Sequence, residues 1–349
     1  MKYQLAADNP TEEKALRSSI ATRPLFDPFL PVLQARSIMA GVRMGVFEAM
    51  GEKAHTAGQL AKALSVDADC LELLLRVLVC AGYAAQQEDQ YRLTELARNT
   101  LLPGSPMQLA GWVEYNYFHW AVIGKLEEVL KTGKGVEARQ ILADSAGWAA
   151  YQRAMLETAR PAAPLVASLV PIKQGAQKML DIGGSHGLYG AMICHQHPPM
   201  RSEVLESPQA VEYARKLGRE EGIDDVVSHR AGDALKDDLG RGYDAVFLGN
   251  VNHHFTPDQN QKLLQRIREA LVPGGTVAVW EFKRPEPTAE PDLVGDGLAL
   301  FFRISSGAQC YTPADYTGWL EETGFTNITI HPTPFAPAQI LVTARRDKM

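Results

Sequence analysis

Apolar positions repeat along the first third of the chain at helical spacing. Ile38, Val42, Val46 and Phe47 fall on one face of residues 35–50, the i, i+4, i+8 pattern of an amphipathic helix. Thr56 is placed to cap a short helix over 57–64, and Asp67 a longer one whose stripe is Leu71, Leu74, Leu75, Leu78 and Val79. Gly82 ends that helix, and residues 83–85 and 91–93, joined by the polar stretch 86–90, predict a hairpin. Three helices and a hairpin make a winged-helix pattern. The third of these helices, in the recognition position, carries Asp67, Asp69 and Glu72 against a single Arg76. Phosphate contact needs Lys and Arg, so this face is expected to pack on protein rather than on nucleic acid.

Residues 101–172 read as helical and aromatic, with Trp112, Tyr115, Tyr117, Phe118, His119 and Trp120 close together. Such residues suit a core or the wall of a pocket for a flat ligand. From Lys178 the pattern alternates. Strands are expected at 178–182, 203–206, 226–229, 245–249 and 276–282, and helices at 188–195, 209–221, 257–271 and 313–323. That alternation builds a parallel sheet covered on both faces. The last two strands, 326–331 and 339–343, are separated by only residues 332–338. A parallel connection needs about a dozen residues or more, so this is an antiparallel hairpin. The expected division is 1–100, 101–172 and 173–349.

Composition narrows the class. The 349 residues are 46% hydrophobic and 22% charged, the balance of a globular chain of about two domains at roughly 150 residues each. A net charge of −6 argues against a dedicated nucleic-acid binder. The most apolar run, 71–85, is interrupted by Glu72 and Arg76, short of the roughly 18 uncharged apolar residues of a membrane span. The start lacks a basic region leading into an apolar segment, so a cytoplasmic protein is expected. Cys70, Cys80, Cys194 and Cys310 are scattered without a CxxC pair and are expected to be buried free thiols with no metal.

The candidate chemistry lies at strand ends. Met-Leu-Asp-Ile-Gly-Gly-Ser-His-Gly, 179–187, is a strand running into a glycine turn and a helix. Dinucleotide enzymes use a similar loop to seat a pyrophosphate. Here Asp181 stands immediately before the glycines, and a carboxylate there repels a pyrophosphate and attracts a cation. S-adenosylmethionine (SAM), with an ammonium, a sulfonium and no phosphate, fits that charge better than NAD. Asp181, Gly183, Gly184 and Gly187 are therefore candidates for its methionine end. Glu206, ending the next strand, suits the ribose hydroxyls, and Asp233 with Ala234 suits the adenine. The fourth strand leads into Asn250, another cofactor candidate, and then His253 and His254. An imidazole of ordinary pKa, near 6.5, is a suitable base for a phenol of pKa about 10. Glu281, ending the fifth strand, is placed to hold its second nitrogen. His253 as base, His254 as the first alternative base, and His253 as a structural or adenosyl-packing histidine all remain open on these grounds.

The winged-helix front, Asp181-Ile182-Gly183-Gly184, Glu206-Ser207-Pro208, Gly232-Asp233 and the His253 loop together resemble the plant caffeate/hydroxyindole-type SAM-dependent O-methyltransferases and their bacterial relatives, over residues 35–345. The resemblance implies an N-terminal dimerisation domain, a homodimer, and a Rossmann-like class I methyltransferase sheet of seven strands, mostly parallel with an antiparallel last strand. It implies His253 as base and Glu281 as its support. His254-Phe255 stands where the family usually has Asp-Trp. Cys310 stands where a second supporting glutamate is expected, and Gly249 where a lysine is common. A small, aromatic, hydroxylated substrate is implied, with Trp112, Tyr115, Phe118, Met155, Phe301 and Phe302 as pocket candidates. Some members of the family bind SAM yet perform decarboxylation, hydroxylation or pericyclic chemistry, and that alternative stays open here. An NAD-linked oxidoreductase and a ligand-sensing regulator are the rival classes.

Overall fold

The computed structural model describes residues 6–7, 9–18, 23–105, 107–136, 138 and 145–347. Packing divides the chain into two units, one ending at Tyr117 and one beginning at Phe118.

The N-terminal unit runs α1 (Pro10–Arg17), α2 (Arg23–Phe26), α3 (Leu30–Arg43), α4 (Val46–Met50), β1 (His55–Thr56), α5 (Ala57–Leu64), α6 (Ala68–Cys80), β2 (Ala84–Gln87), β3 (Gln90–Leu93) and α7 (Glu95–Leu101). The single helix expected over 35–50 is two helices, because Gly45 takes a φ of 70° and turns the chain between α3 and α4. Both expected caps form. Thr56 and Gln59 make a reciprocal capping box on α5, and Asp67 accepts from the Cys70 N–H at 2.8 Å on α6. Leu71, Leu75 and Leu78 of α6 bury against Phe47, Leu60 and Tyr91, which is why this helix exists as an amphipathic unit. The hairpin gains a third strand in the order β1-β3-β2. β1 has only two residues, too few for any periodicity to announce it.

One expectation about the cysteines is corrected. Cys194 and Cys310 are buried, but Cys70 and Cys80 are exposed. Both sit on α6 off the inward stripe of Leu71, Leu75 and Leu78, so helix phase decides their exposure.

The C-terminal unit opens with the end of α8 (Ala110–Ile123), then α9 (Leu126–Thr132), α10 (Ser145–Ala159) and α11 (Ala163–Leu169). There follow β4 (Lys178–Ile182), α12 (Leu188–Gln196), β5 (Arg201–Glu206), α13 (Val211–Glu220), β6 (Val227–Ala231), β7 (Tyr243–Gly249), α14 (Pro257–Ala270), β8 (Leu271–Phe282), α15 (Leu293–Ser306), α16 (Pro313–Glu322), β9 (Phe325–His331) and β10 (Gln339–Arg346). The seven strands lie in the order β6-β5-β4-β7-β8-β10-β9. All neighbouring pairs are parallel except those of β10, which runs antiparallel to both β8 and β9. The last strand is therefore reversed, as expected, and it is inserted one place in from the edge.

Strand order turns around between β4 and β7, which pair directly from Met179↔Ala245 to Ile182↔Leu248. The connections leaving them go to opposite sides of the sheet. A crevice opens at the carboxyl ends of two such strands, and it brings the glycine loop after β4 beside the histidine loop after β7. Leu180, Ile182, Val246 and Leu248 on one face, with Met179, Ala245 and Phe247 on the other, bury the strands on both sides.

Candidate active site

The glycine loop is held from four directions. Ser185, at a φ of 52°, is a non-glycine residue in the left-handed region, a conformation that needs compensation. Its N–H donates to Glu206 Oε2 at 3.1 Å, its carbonyl accepts from His229 Nε2 at 3.0 Å, and its hydroxyl bonds Gln152 of α10. Next to it, His186 Nδ1 accepts the Leu188 N–H at 3.0 Å, so its proton sits on Nε2, which faces the Met155 carbonyl. Burial pushes the His186 imidazole down to about 3, leaving it a neutral strut. Gln152, Ser185, His186 and His229 were missed by the sequence reading. Only the Ser-His pair inside the glycine turn offered a signal, because Gln152 and His229 are brought in from remote segments.

Asp181 lies beneath this loop. It is 1% exposed, and neither carboxylate oxygen has a hydrogen-bond partner. A Cβ on Gly184 would stand 2.5 and 2.6 Å from its two oxygens, so only glycine lets the loop close over it. Burial pushes the Asp181 carboxyl up to about 7; the facing Gly190 N–H opposes that rise without closing a bond, and the Glu206 charge adds to it. From the sequence this carboxylate is expected in the cleft. The structure puts it one layer below, so its charge reaches a ligand through the glycines and not by contact.

The other strand ends are partly occupied by local bonds. Glu206 Oε1 accepts the Ser207 N–H at 2.6 Å while Oε2 takes that of Ser185, so this half-buried acid braces the loop. Asp233 caps the Leu235 N–H at 2.9 Å and pairs with Lys236 at 3.0 Å, and Ala234 follows in the same turn. Asn250, at a φ of 56°, donates its N–H to the Trp280 carbonyl and accepts from Gln339. It ties β7 to β8 and β10.

The histidine loop is the most constrained part of the crevice. Residues 252–254 form a 3-10 turn, pinned by reciprocal bonds between Asn252 and Asn260 of α14 and by Tyr311 donating to the Phe255 carbonyl at 2.6 Å. His253 is 3% exposed and Glu281 is fully buried. His253 Nδ1 lies 2.6 Å from Glu281 Oε1, and Glu281 also accepts the N–H groups of His253 and Phe282 at 3.3 and 2.8 Å. A carboxylate only accepts, so Nδ1 carries the proton and Nε2 keeps its lone pair. Phe302 of α15 stacks on the His253 ring with centroids 3.6 Å apart. Cys310 is fully buried against Phe302 and Ala299, and burial with the Glu281 charge pushes its thiol up. It contributes no charge to the base.

The aromatic candidates divide. Phe118, His119, Phe301, Phe302, His253 and His254 form one chain of touching rings, with His119 edge-on to Phe301 at 4.9 Å and Phe301 edge-on to Phe302 at 5.4 Å. Burial pushes His119 down to about 4. Met155 stands on α10, over the glycine loop through its carbonyl. Trp112 and Tyr115 lie in the N-terminal unit, where they face each other at 6.4 Å. A cavity of about 370 Å³ beyond β8 is bounded by Lys283, Arg284 and Asp292, and none of the expected site residues lines it.

The orphan Asp181 carboxylate tests the ligand. A pyrophosphate above the loop adds negative charge to an acid that has no cation of its own, whereas an ammonium and sulfonium supply the missing positive charge. A class I methyltransferase fold with a SAM-type site is thereby defined. Comparison with known proteins agrees. An O-methyltransferase domain matches residues 128–326, and an O-methyltransferase dimerisation domain matches residues 33–103. The chain belongs to the O-methyltransferase family and is a SAM-dependent methyltransferase. It is 24% identical over 304 residues to 3-hydroxy-5-methyl-1-naphthoate 3-O-methyltransferase of Streptomyces sahachiroi, covering 84% of this chain and 87% of that protein. It is 27% identical over 335 residues to an N,N-dimethyltransferase of Streptomyces rimosus, covering 85% and 92%. The human N-acetylserotonin methyltransferase structure, in complex with SAM, superposes with a TM-score of 0.82 at 21% identity, covering 95% of this chain and 99% of that one.

Proposed function

We propose that this enzyme methylates a hydroxyl group of a small aromatic secondary metabolite, with His253 as general base. The observation that carries this reading is the buried Glu281–His253 pair at the turning point of the sheet. Its Nδ1–H is committed to a carboxylate, so Nε2 is the ring nitrogen that carries no proton, and it faces His254 Nε2 at 3.1 Å. SAM, when bound, supplies the electrophilic methyl group. The protein's own part is to hold the loop, the acceptor and the base. Asp181 sets a negative field under Gly183, Gly184 and Gly187, Glu206 fixes the loop and offers a carboxylate to the ribose, and Asp233 with Ala234 borders the adenine. Asn250 keeps the base loop in register with β8. Phe118, Met155, Phe301 and Phe302 give the acceptor apolar surface, and Glu281 stabilises the imidazolium that forms when His253 takes the proton. Positioning supplies most of the acceleration, since holding reactants in line is worth several kcal/mol, up to about 7–11 in favourable cases.

The chain is further proposed to work as a homodimer through its N-terminal domain, where α3 exposes Leu30, Val32 and Leu33 beside Phe29. The test is release of S-adenosylhomocysteine (SAH) from SAM with 3-hydroxy-1-naphthoate and with its 3-amino analogue. His253→Ala is expected to lower turnover by about 10²–10⁴-fold, the usual worth of a general base, with SAM binding retained. Full turnover by that variant assigns the base elsewhere. Methylation of the amine alone overturns the hydroxyl assignment, and SAM binding without SAH release from any acceptor favours the non-methylating alternative.

A further inference from the structure

The cavity of about 370 Å³ beyond β8 falls within the range of small-molecule sites, about 300–1,000 Å³. Its walls are of two kinds. Pro285, Val294, Pro313 and Pro337 give an apolar surface, and the fixed proline rings leave it largely pre-formed. Lys283 and Arg284 supply two positive charges, and Glu286 and Asp292 two negative ones. The acids are already committed. Glu286 Oε1 accepts the Ala314 N–H at 3.2 Å at the start of α16, and Asp292 Oδ2 accepts the Gly295 N–H at 2.8 Å as the N-cap of α15. Each carboxylate therefore sits on a helix N-terminus, whose positive end offsets it. The bases have no such partner. Among the described residues neither Lys283 nor Arg284 makes a side-chain hydrogen bond or ion pair, and Arg284 Nε is buried unmatched. A guanidinium, with a pKa above about 12, keeps its charge when buried. That charge acts on Cys310 and Tyr311, but burial pushes both groups up, Tyr311 to about 12, so neither supplies an anion around pH 7. The backbone under the two bases is fixed: the Lys283 N–H donates to the Ala338 carbonyl at 3.0 Å and the Arg284 N–H to the Tyr311 carbonyl at 3.3 Å. A Cβ on Gly295 would stand 2.8 Å from the Lys283 carbonyl oxygen, so a glycine there lets α15 start directly against this segment.

We propose that this cavity is a second binding site, separate from the histidine and glycine loops, for a small organic carboxylate with an apolar body. Arg284 offers the planar fork that matches a carboxylate in two parallel bonds, and Lys283 adds a point charge. The proline wall takes the apolar body. A doubly charged phosphate suits the cavity less well. It brings one more negative charge toward Glu286 and Asp292, and the proline side has no backbone N–H to offer it. A neutral molecule of the same shape gains the apolar contact alone and leaves the guanidinium unmet.

Benzoate is the probe, with benzamide as its neutral counterpart and inorganic phosphate as the bare anion. The ¹⁵N-labelled enzyme is saturated with SAH, and its main-chain resonances are followed by nuclear magnetic resonance. Benzoate is expected to shift the N–H signals of Lys283, Arg284, Val294 and Ala338, and benzamide and phosphate to bind there about tenfold more weakly or worse. Arg284→Gln is expected to weaken benzoate by about tenfold or more, the worth of a hydrogen bond to a charged group, with SAH affinity retained as the check on folding. Lys283→Gln removes the other charge and keeps the test open if the arginine variant does not fold; a loss of about two- to fivefold is expected, as for a more exposed ion pair. Absence of the four shifts overturns the proposal. Shifts confined to Asn252, His253 and Phe302 place benzoate in the acceptor crevice and overturn it too. Equal binding of benzamide, tighter binding of phosphate, or wild-type benzoate affinity in the folded variants has the same consequence, and none of these outcomes bears on His253 as base.

Discussion

Replacing Asp181 by Asn keeps the shape of the side chain and removes a charge that has no partner. The folded-state carboxyl is raised to about 7 from an ordinary 3.8. A raised acid in the native state means that stability is fully present below the unfolded pKa and is lost as pH rises through the folded one. Each pH unit in that window costs about 1.4 kcal/mol. The span from 3.8 to about 7 therefore amounts to roughly 4 kcal/mol at pH 8. Asp181→Asn is expected to match wild type in urea unfolding near pH 4 and to exceed it progressively up to pH 8, in the absence of cofactor. The same substitution is expected to weaken SAM more than SAH in calorimetry, because only SAM carries the sulfonium charge. A stability difference that is flat across pH, or equal losses for SAM and SAH, refutes the account of Asp181 as an uncompensated charge beneath the loop.

Gly184→Ala is expected to lower stability by about 1–3 kcal/mol, the usual cost of overpacking, and to abolish SAM uptake in calorimetry, because the new Cβ meets the Asp181 oxygens at 2.5 and 2.6 Å. Wild-type affinity in that variant removes the steric argument. Phe29 and Leu33 are 59% and 45% exposed. Changing both to Glu is expected to convert a dimer to a monomer in sedimentation, and an unchanged mass locates the dimer contact elsewhere.

The sheet was largely legible because its strands are short apolar runs between turn residues, and because a linker of residues 332–338 permits only a hairpin. The places where reading failed have physical reasons. β8 begins at Leu271 rather than 276: Gly274 takes a φ of 76°, so Pro273-Gly274-Gly275 does turn, but it is a step inside the strand, with Tyr243↔Leu271 pairing before it and Ala245↔Thr276 after it. Asp181 lies between Leu180 and Ile182 in a strand buried on both faces, where no alternation distinguishes inside from outside. Its depth under the loop is therefore a property of three dimensions only. The His253–Glu281 pair is accessible to sequence because His253 follows the end of β7 and Glu281 lies near the end of β8, its parallel neighbour. The His254 contact is not, because two consecutive residues meet through their rings only when the backbone coils into a 3-10 turn.

Glu281→Gln separates charge from geometry at the base. Oε1 accepts both the His253 Nδ1–H and the Phe282 N–H, while Oε2 faces the His253 main-chain N–H at 3.3 Å. A Gln amide has one acceptor and one donor end. With its oxygen at the Oε1 position, two of the three donors stay satisfied and the third meets an NH₂. In the flipped orientation only one is satisfied. The better arrangement thus leaves a buried donor without a partner, a cost of about 1–3 kcal/mol. It also removes the anion that stabilises an imidazolium. Thermal unfolding is expected to fall by that amount with SAM affinity retained, since the pair lies on the β7–β8 side of the crevice and the glycine loop on the other. Turnover is expected to drop nearly as far as in His253→Ala, and the double variant to be no worse than the slower single, because residues acting as one unit lose their effect together. Independent, multiplying losses in the double variant refute the pairing, and wild-type turnover in Glu281→Gln shows that the proton never rests on His253.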